Sequence, residues 1–413
     1  MISKEKFYPF INGLPIVDGN DVYMHTLNSP IDNRKLSNIF FAKESLVNKA
    51  IFSARKSFES GVWCDLSKVE RKKILLKLAS LIDDNAEYLA NLDALSMGKP
   101  VKNLLKSDIP NAIECLRWFA ELIDKPNGFV YSGDSYSKNI VEYVPLGVVV
   151  CITPWNYPVE NISWKIAPAL AAGNSVILKP SEISSYSAIV VAHLAKQAGV
   201  PDGVLNVIPG EGLTIGESLC SHPDVDGVFF TGSYKTGQLI SKYASNSTPK
   251  KVSLELGGKS SLIVFKGYKN IKKAVKTVLD SIFINNGQTC NAITRVIIHD
   301  SVYNEFMSKM IGAMKGYTPS DPLNPLTKVG AIASSSQYEK IKEYINLALK
   351  SNLKILYSVD SSELSSKGYY ISPYIIFSKD FKDELSQSEI FGPILLVTKF
   401  NSDAEAIKLA NNT

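Results

Sequence analysis

The sequence lacks several features that mark membrane, metal-binding or disulfide-stabilised proteins. No run of about 18 apolar residues occurs, and the stretch from Met1 to Lys6 lacks the apolar core of a signal peptide. This argues against a membrane span and predicts a cytoplasmic protein. The five cysteines are an odd set without a Cys-x-x-Cys pair, which argues against disulfides and against a bound metal. The net charge is +5, but no block of lysine and arginine stands out, so no nucleic-acid partner is expected.

What the 413 residues do contain is an alternation of apolar strands with amphipathic helices. Apolar residues recur at three- and four-residue spacing over 45–58 and 68–95, which predicts two helices, the second one long. The apolar run at 145–152 is typical of a strand buried on both faces. Strands and helices then alternate as in a wound, mostly parallel sheet, and the alternation restarts after Gly258. The sequence therefore predicts an α/β fold with two α/β domains.

Three separate segments carry side chains suited to covalent chemistry on a carbonyl group. Cys290 ends the Asn-Gly-Gln-Thr-Cys segment at 286–290, between a predicted helix and a predicted strand. Glu255 begins Glu-Leu-Gly-Gly-Lys, and Asn156 lies in a loop between two prolines. A thiolate can attack a carbonyl carbon and a carboxylate can accept a proton. An asparagine amide, together with the backbone N–H of Cys290, can stabilise the alkoxide that forms.

Each of these residues also has an ordinary structural interpretation when it is taken alone. A lone cysteine is more often a buried core residue, and a glutamate in an apolar run more often faces water from a strand. The Pro-Trp-Asn-Tyr-Pro segment at 154–158 can be a rigid loop with two packed aromatic rings. The combination favours catalysis, and Glu255 is then expected to be buried, as suits a general base.

The Gly-x-Gly-x-x-Gly fingerprint of a dinucleotide-binding turn is absent. Two other strand ends are candidates for nucleotide binding. At 178–182, Leu-Lys-Pro-Ser-Glu brings a lysine and a glutamate suited to two ribose hydroxyls. At 230–237, a strand turns through glycine into a helix whose N-terminus could face a pyrophosphate, although a Gly-Ser helix cap explains this segment nearly as well. At 389–393, Glu-Ile-Phe-Gly-Pro is either a third candidate or a helix end followed by a turn.

These motifs, in their order and approximate spacing, resemble the aldehyde dehydrogenase superfamily over essentially the whole chain. The motifs that carry the resemblance are Pro-Trp-Asn-x-Pro at 154–158, Glu-Leu-Gly-Gly-Lys at 255–259, Gly-Gln-x-Cys at 287–290 and Glu-x-Phe-Gly-Pro at 389–393. The resemblance implies NAD-dependent oxidation of an aldehyde to the carboxylic acid through a cysteine thiohemiacetal and a thioester. It implies Cys290 as nucleophile, Glu255 as base and Asn156 as oxyanion donor.

The same resemblance implies a set of residues that bind the cofactor. They are Thr153, Pro154, Trp155, Lys179, Ser181, Glu182, Gly212, Gly216, Phe230, Thr231, Gly232, Ser233, Thr236, Leu256, Gly257, Glu389 and Phe391. Within this set, Lys179 and Glu182 would hold the adenosine ribose. Gly232 and Ser233 would line the pyrophosphate, and the residues at 389 and 391 would hold the nicotinamide end. The acid at 182 makes NAD the expected cofactor and NADP less so, because it would repel a 2′-phosphate.

The implied fold is aldehyde-dehydrogenase-like, with two α/β domains and a small hairpin. A Rossmann-type NAD-binding domain is expected at 1–127 and 144–255, an oligomerisation β-hairpin at 128–143, and a catalytic domain at 256–413. The family's hairpin implies a homo-dimer or tetramer. The chain stops in a helical pattern, where family members continue into a strand that pairs with this hairpin. The chain is therefore expected to be a fragment, or a product that lacks part of its core.

The N-terminal half looks closest to enzymes that act on aminoaldehydes. The segments at 58–63, 70–73 and 97–100 resemble γ-glutamyl-γ-aminobutyraldehyde and betaine-aldehyde dehydrogenases. The expected substrate is therefore a small aminoaldehyde. Two alternatives stay open at this point: a catalytically silent homologue that binds NAD or serves a structural role, and transfer of the acyl group to coenzyme A instead of water.

Overall fold

The fold is described for residues 5–126, 128–134, 136–351, 353–358 and 366–413 in a computed structural model. The chain divides into two compact units, each with its own sheet. The first unit is Met1–Leu27, Leu36–Asp93 and Leu105–Glu255, and the second is Asn28–Lys35, Ala94–Leu104 and Leu256–Thr413. Within the described ranges, no helix is long and apolar enough to cross a membrane.

The elements up to Glu255 alternate as the sequence pattern predicts. The strands are β1 (Lys6–Phe7), β2 (Phe10–Ile11), β3 (Leu14–Pro15), β4 (Val22–His25), β5 (Asn38–Ala42), β6 (Phe129–Ser132), β7 (Lys138–Val141), β8 (Val148–Ile152), β9 (Ser175–Lys179), β10 (Leu205–Val207), β11 (Gly227–Thr231) and β12 (Lys251–Glu255). The helices are α1 (Glu44–Glu59), α2 (Lys68–Asp84), α3 (Ala86–Met97), α4 (Val101–Asn103), a π-helical turn (Leu104–Asp108), α5 (Ile109–Leu122), α6 (Pro158–Ala171), α7 (Tyr186–Ala198), α8 (Gly212–Ser221) and α9 (Tyr234–Ser245).

The main sheet of the first unit has seven strands in the order β12-β11-β8-β9-β10-β2-β3. The five strands from β12 to β10 are parallel, and β2 joins antiparallel. Every residue of β8 and β9 is buried, as the continuous apolar run predicts. The chain runs from β8 outward to β10 and then returns to the other side of β8 with β11. This reversal is the switch point of a doubly wound fold, where ligands bind beyond the carboxyl ends of the strands.

The single long helix expected over 68–95 is wrong, because the structure has two helices with a break at Asn85. Ser67 caps the first of them by accepting a hydrogen bond from the backbone N–H of Glu70, as in a capping box. At the break, the Asn85 side chain donates to the carbonyl oxygen of Leu81 at 2.8 Å. Asparagine competes for backbone hydrogen bonds in this way and so favours the end of a helix.

The second unit is built on a five-stranded sheet in the order β13-β14-β17-β16-β15. Its strands are β13 (Ser261–Val264), β14 (Arg295–His299), β15 (Lys354–Tyr357), β16 (Tyr374–Phe377) and β17 (Ile394–Phe400). Its helices are α10 (Ile271–Phe283), a 3₁₀ turn (Ile284–Gly287), α11 (Asp300–Ala313), a 3₁₀ turn (Met314–Tyr317), α12 (Ser335–Lys350), α13 (Glu384–Gln387) and α14 (Asp403–Ala410). In β14, Val296 and Ile298 enter one apolar cluster while Ile297 enters the other, so helices cover both faces.

The predicted ranges differ from the observed units at two segments, residues 28–35 and 94–104, which pack with the second unit. Backbone hydrogen bonds explain this. The N–H of Ala331 donates to the carbonyl oxygen of Gly98 at 2.9 Å, and the N–H of Tyr369 donates to that of Pro30 at 2.9 Å. Pairings over more than 200 residues leave no trace in local periodicity, so the pattern could not predict them.

Candidate active site

In the first unit, four predicted site residues lie at the carboxyl edge of the parallel strands. Lys179, Thr231 and Glu255 end β9, β11 and β12, and Thr153 directly follows β8. Thr231 is the register partner of Glu255, and the N–H of Thr153 donates to the carbonyl oxygen of Lys179 at 3.1 Å. These residues therefore meet at the edge where a doubly wound sheet binds its ligand.

A buried lysine and a glutamate form a polar pair at the end of β9. The Nζ of Lys179 donates to Oε1 of Glu182 at 3.0 Å, and the backbone N–H of Gly212 donates to the same oxygen at 2.6 Å. Burial opposes the charge of Glu182, but these two donors hold its pKa below the usual range. A Cβ at Gly216, one turn along α8, would meet nothing within 4 Å. The charged pair can form hydrogen bonds with two hydroxyls, as a ribose offers them.

The segment that follows β11 is a capped helix start, as the alternative interpretation predicted. The Oγ of Ser233 accepts from the backbone N–H of Thr236 at 3.3 Å and lies 2.9 Å from its Oγ1. Gly232 admits no larger residue without movement, since a Cβ there would lie 2.4 Å from the ring of Phe230. The cap uses one of the first N–H groups of α9, and the others are available to an anion.

Glu255 and Asn156 differ sharply in exposure. Glu255 is exposed at the end of β12, which is the edge strand of its sheet, so the expected burial of this carboxylate is wrong. The exposure of the last side chain of a strand depends on which segments pack over the end of the sheet, and a local pattern does not state this. Asn156 is only 5% exposed, in the loop between β8 and α6. Pro158 at the first position of α6 fixes the exit of this loop.

In the second unit, the predicted residues collect at the amino edge of three strands. Gly257 precedes β13, Cys290 precedes β14 and Glu389 precedes β17, and these strands lie side by side in the order β13-β14-β17. Because the three strands are parallel, the segments that enter them lie at the same edge of the sheet. A sheet of this order brings together segments more than 100 residues apart.

Cys290 is the exposed one of the five cysteines, none of which forms a disulfide. Cys151 and Cys220 are buried, whereas Cys64 and Cys115 are half-buried. Burial raises the pKa of these four thiols, to about 12 for Cys151 and Cys220 and to about 11 for Cys115. A thiolate forms more readily at an accessible position, so Cys290 is the cysteine placed to react.

The carboxylate of Glu389 lies on the glycines that precede β13. The N–H of Gly258 donates to Oε1 at 3.3 Å, and a Cβ at Gly257 would lie only 2.0 Å from Oε2. Gly258 also faces the cysteine segment, since its Cβ would lie 3.4 Å from the carbonyl oxygen of Cys290. Burial raises the pKa of Glu389, against the hydrogen bond from Gly258 and the charges of Lys340 and Lys259.

Two residues that the sequence analysis missed hold this glutamate segment in place. The Nε2 of Gln337 donates to the carbonyl oxygens of Ile390 at 3.0 Å and Phe391 at 2.9 Å, and the Nζ of Lys340 donates to that of Glu389 at 3.0 Å. Phe391 has a positive φ of 60°, which a non-glycine residue adopts only with support. Gln337 and Lys340 both lie on α12. Their polar side chains cannot be told from the solvent-facing side of an amphipathic helix in the sequence alone.

Comparison with known proteins adds an independent finding. The model of the aldehyde dehydrogenase family matches residues 16–413. The chain belongs to this family. It is 40% identical over 404 residues to the NADP/NAD-dependent aldehyde dehydrogenase PuuC of Escherichia coli, covering 98% of this chain and 81% of that protein. It is 38% identical to the aminoacetaldehyde dehydrogenase of Pseudomonas aeruginosa, covering 93% and 77%.

A solved structure of another aldehyde dehydrogenase superposes on this chain. The γ-glutamyl-γ-aminobutyraldehyde dehydrogenase of Burkholderia cenocepacia superposes with a TM-score of 0.94 at 39% identity, covering 98% of this chain and 82% of that chain. The aldehyde dehydrogenase fold and the enzyme class, an oxidoreductase acting on aldehydes with NAD(P), are thereby confirmed. The roles of single residues stay predictions. Within the described ranges, no group of three or more His, Cys, Asp or Glu side chains could hold a metal ion.

Proposed function

We propose that this aldehyde dehydrogenase oxidises a small aminoaldehyde to its carboxylic acid with NAD, through the Cys290 thiol. The observation that carries the proposal is the exposed thiol at the amino edge of β14, beside the glycines that seat Glu389. The names of the relatives support the substrate class, because two of the three proteins compared above act on aminoaldehydes. NADP is the less favoured cofactor, since the Glu182 carboxylate would repel a 2′-phosphate.

The proposed reaction begins at Cys290. Its thiolate adds to the aldehyde carbon and forms a C–S bond, and the carbonyl oxygen becomes an alkoxide that the Asn156 amide and the backbone N–H of Cys290 stabilise. NAD, when bound, supplies the acceptor for the hydride that this carbon loses. Glu255 then takes a proton from water, the hydroxide adds to the thioester, and the C–S bond breaks to release the acid and the thiolate.

Each unit by itself offers residues that we propose for NAD. In the first, the Lys179–Glu182 pair takes the adenosine ribose, and the segment from Thr231 to Thr236 takes the pyrophosphate. In the second, Glu389 and Phe391 take the nicotinamide end. We therefore propose that residues 1–127 and 144–255 are mainly an NAD-binding domain and that 256–413 is a catalytic domain with a part in binding the nicotinamide end, apart from the two segments that pack with the second unit.

A further part of the proposal is that the hairpin of β6 and β7 joins two copies of the chain into a dimer or tetramer. Phe129, Val130, Tyr131 and Ile140 are 52%, 69%, 56% and 65% exposed, an unusual apolar surface for a hairpin in water. Light scattering after size-exclusion chromatography tests this, and a monomer at micromolar concentration would contradict it. We also propose a cytoplasmic location, which the five cysteines without a disulfide support.

The test of function is NADH formation with aminobutyraldehyde, betaine aldehyde and a simple aliphatic aldehyde. Cys290→Ala should abolish turnover and keep NAD binding by calorimetry, while Cys64→Ala, a half-buried cysteine of the first unit, should keep both. Turnover by Cys290→Ala would show that Cys290 is not the nucleophile. NAD binding by the unaltered chain without turnover of any aldehyde would favour the silent homologue. An acyl-coenzyme A product would show that coenzyme A, and not water, accepts the acyl group.

Glu255 is tested separately, by the step that it is proposed to serve. Glu255→Gln should leave a rapid first release of NADH and slow the steady state, because hydrolysis of the thioester needs the base. An unchanged steady-state rate would remove Glu255 from this role.

A further inference from the structure

The backbone just before Cys290 adopts a conformation that needs outside support. Asn285, Asn286 and Gly287 have positive φ values of 49°, 55° and 75°, so three consecutive residues are left-handed. Asparagine tolerates this region better than most residues, but each non-glycine position there still costs of order 1 kcal/mol. A Cβ at Gly287 would lie 2.2 Å from the carbonyl oxygen of Gly392, so this position admits only glycine. Such a turn persists only if its surroundings hold it.

The side chain of Gln288 supplies that support through both ends of its amide. Its Nε2 donates to the carbonyl oxygens of Asn285 at 3.0 Å and Ala331 at 3.3 Å, and its Oε1 accepts from the N–H of Ala333 at 2.9 Å. Gln288 is fully buried, at 0% exposure. A buried amide with these bonds is strongly localised, because breaking any of them leaves a polar group without water.

The segment at the far end of these bonds is itself fixed. The N–H of Ala331 donates to the carbonyl oxygen of Gly98 at 2.9 Å, and the N–H of Ile332 donates to that of Tyr369 at 2.7 Å. Directly after it, Ser334 caps α12 by accepting from the N–H of Gln337. Because Gln337 also holds Ile390 and Phe391, as described above, one short stretch anchors both the cysteine segment and the glutamate segment.

We propose that Gln288 is a positioning residue for Cys290, whose amide ties the left-handed turn to residues 331–333 and so sets the direction of the thiol. This rests on the proposed role of Cys290 as nucleophile. Gln288 touches no reacting atom. Its effect passes through two peptide units to Cys290, and misplacement of a reacting group by about 1 Å can lower a rate about a hundredfold.

Two variants test this. Gln288→Met keeps the length and removes all three hydrogen bonds, whereas Gln288→Glu keeps the acceptor for Ala333 and loses both donated bonds when ionised. For Gln288→Met we expect at least a tenfold change in the rate at which iodoacetamide alkylates Cys290, followed by peptide mass spectrometry. We also expect at least a tenfold lower kcat, with KM for NAD nearly unchanged. Gln288→Glu should change the alkylation rate and kcat at least as much as Gln288→Met, because its buried carboxylate would face the carbonyl oxygens of Asn285 and Ala331.

Gln387→Met is the matched control. The Nε2 of Gln387 also donates to two backbone carbonyl oxygens of the same unit, those of Phe381 at 2.5 Å and Asn412 at 2.6 Å, and neither of these acceptors belongs to the cysteine segment. This variant should leave the alkylation rate unchanged. A folded Gln288 variant with an unaltered alkylation rate and kcat would overturn the proposal, and so would failure of both Gln288 variants to fold, which would make the residue a determinant of folding.

The alkylation rate needs no aldehyde, so it separates this proposal from the proposed function. An inactive unaltered chain would count against the function and would leave the alkylation comparison in force. Full activity in Gln288→Met, with Cys290→Ala inactive, would count against the positioning role alone.

Discussion

Replacing Lys259 with methionine should stabilise the fold, and more so at pH 6 than at pH 9. Lys259 is 8% exposed, and its Nζ has no hydrogen-bond partner among the described residues. Burial above all, together with the charges of Arg295 and Lys340, lowers its pKa from 10.5 to about 7, against the opposing charges of Asp383 and Glu389. A buried ammonium without a partner destabilises a protein, and an apolar side chain of similar length removes that charge.

The expected size follows from the difference between the folded and unfolded pKa. Below pH 7 the folded chain carries the buried charge and the whole penalty is present. Between pH 7 and 10.5 only the unfolded chain keeps the proton, so the stability of the unaltered chain rises with pH and the penalty fades. At 1.36 kcal/mol per pH unit, Lys259 destabilises by about 5 kcal/mol at pH 6 and by about 2 kcal/mol at pH 9.

Urea unfolding of the unaltered chain and of Lys259→Met at pH 6 and pH 9 measures the destabilisation at each pH. Replacing Lys259 with methionine should raise the free energy of unfolding by about 3 kcal/mol more at pH 6 than at pH 9. Lys382→Met is the control, because that side chain is 77% exposed in the same unit and should respond little at either pH. An equal gain for Lys259→Met at both pH values would refute the buried charge as the cause, and a loss of stability would show that the ammonium is needed.

Three further predictions follow from single contacts. Gly287→Ala should lower kcat and destabilise by about 2 kcal/mol, since a left-handed residue would gain a Cβ against Gly392; an unchanged Tm and kcat would contradict this. Trp63→Phe should lower the free energy of unfolding, measured in urea, by about 1–3 kcal/mol, because it removes the buried hydrogen bond from Nε1 to the carbonyl oxygen of Leu170 at 2.9 Å. A decrease smaller than the experimental error would show that the carbonyl oxygen of Leu170 finds another donor. Glu182→Gln should raise kcat/KM for NADP relative to NAD by about tenfold, equal to 1.4 kcal/mol, and an unchanged ratio would argue against this carboxylate as the discriminator.

Local patterns predict the parts of this fold that depend on local chemistry. The apolar run at 145–152 and the runs that end at Lys179 and Thr231 predict strands, because a strand buried on both faces needs apolar residues throughout. The sequence motifs also identify the three segments that lie together in the second unit, although they do not predict that these segments lie together. The strand order that brings them together was not readable, because the position of β17 between β14 and β16 depends on contacts across 100 residues.

Other features have no signature in a single sequence. Glu255 is exposed at the end of β12, and the residue types of a strand do not state which distant segments cover its last side chain. Gln337 and Lys340 hold backbone carbonyls about 50 residues away, and any residue type can offer a carbonyl. Gln288 was visible within a motif, but its three bonds depend on the path of residues 331–333.

The position of β17 has a consequence for synthesis of the chain. Residues 394–400 must insert beside β14 before the sheet is continuous, although β14 and the cysteine segment leave the ribosome about 100 residues earlier. Until then β14 has no neighbour on the side that β17 will occupy, and a sheet that waits for a strand made about 100 residues later forms slowly. During this interval the Cys290 thiol belongs to a partly formed sheet, open to oxidants and to association with other nascent chains.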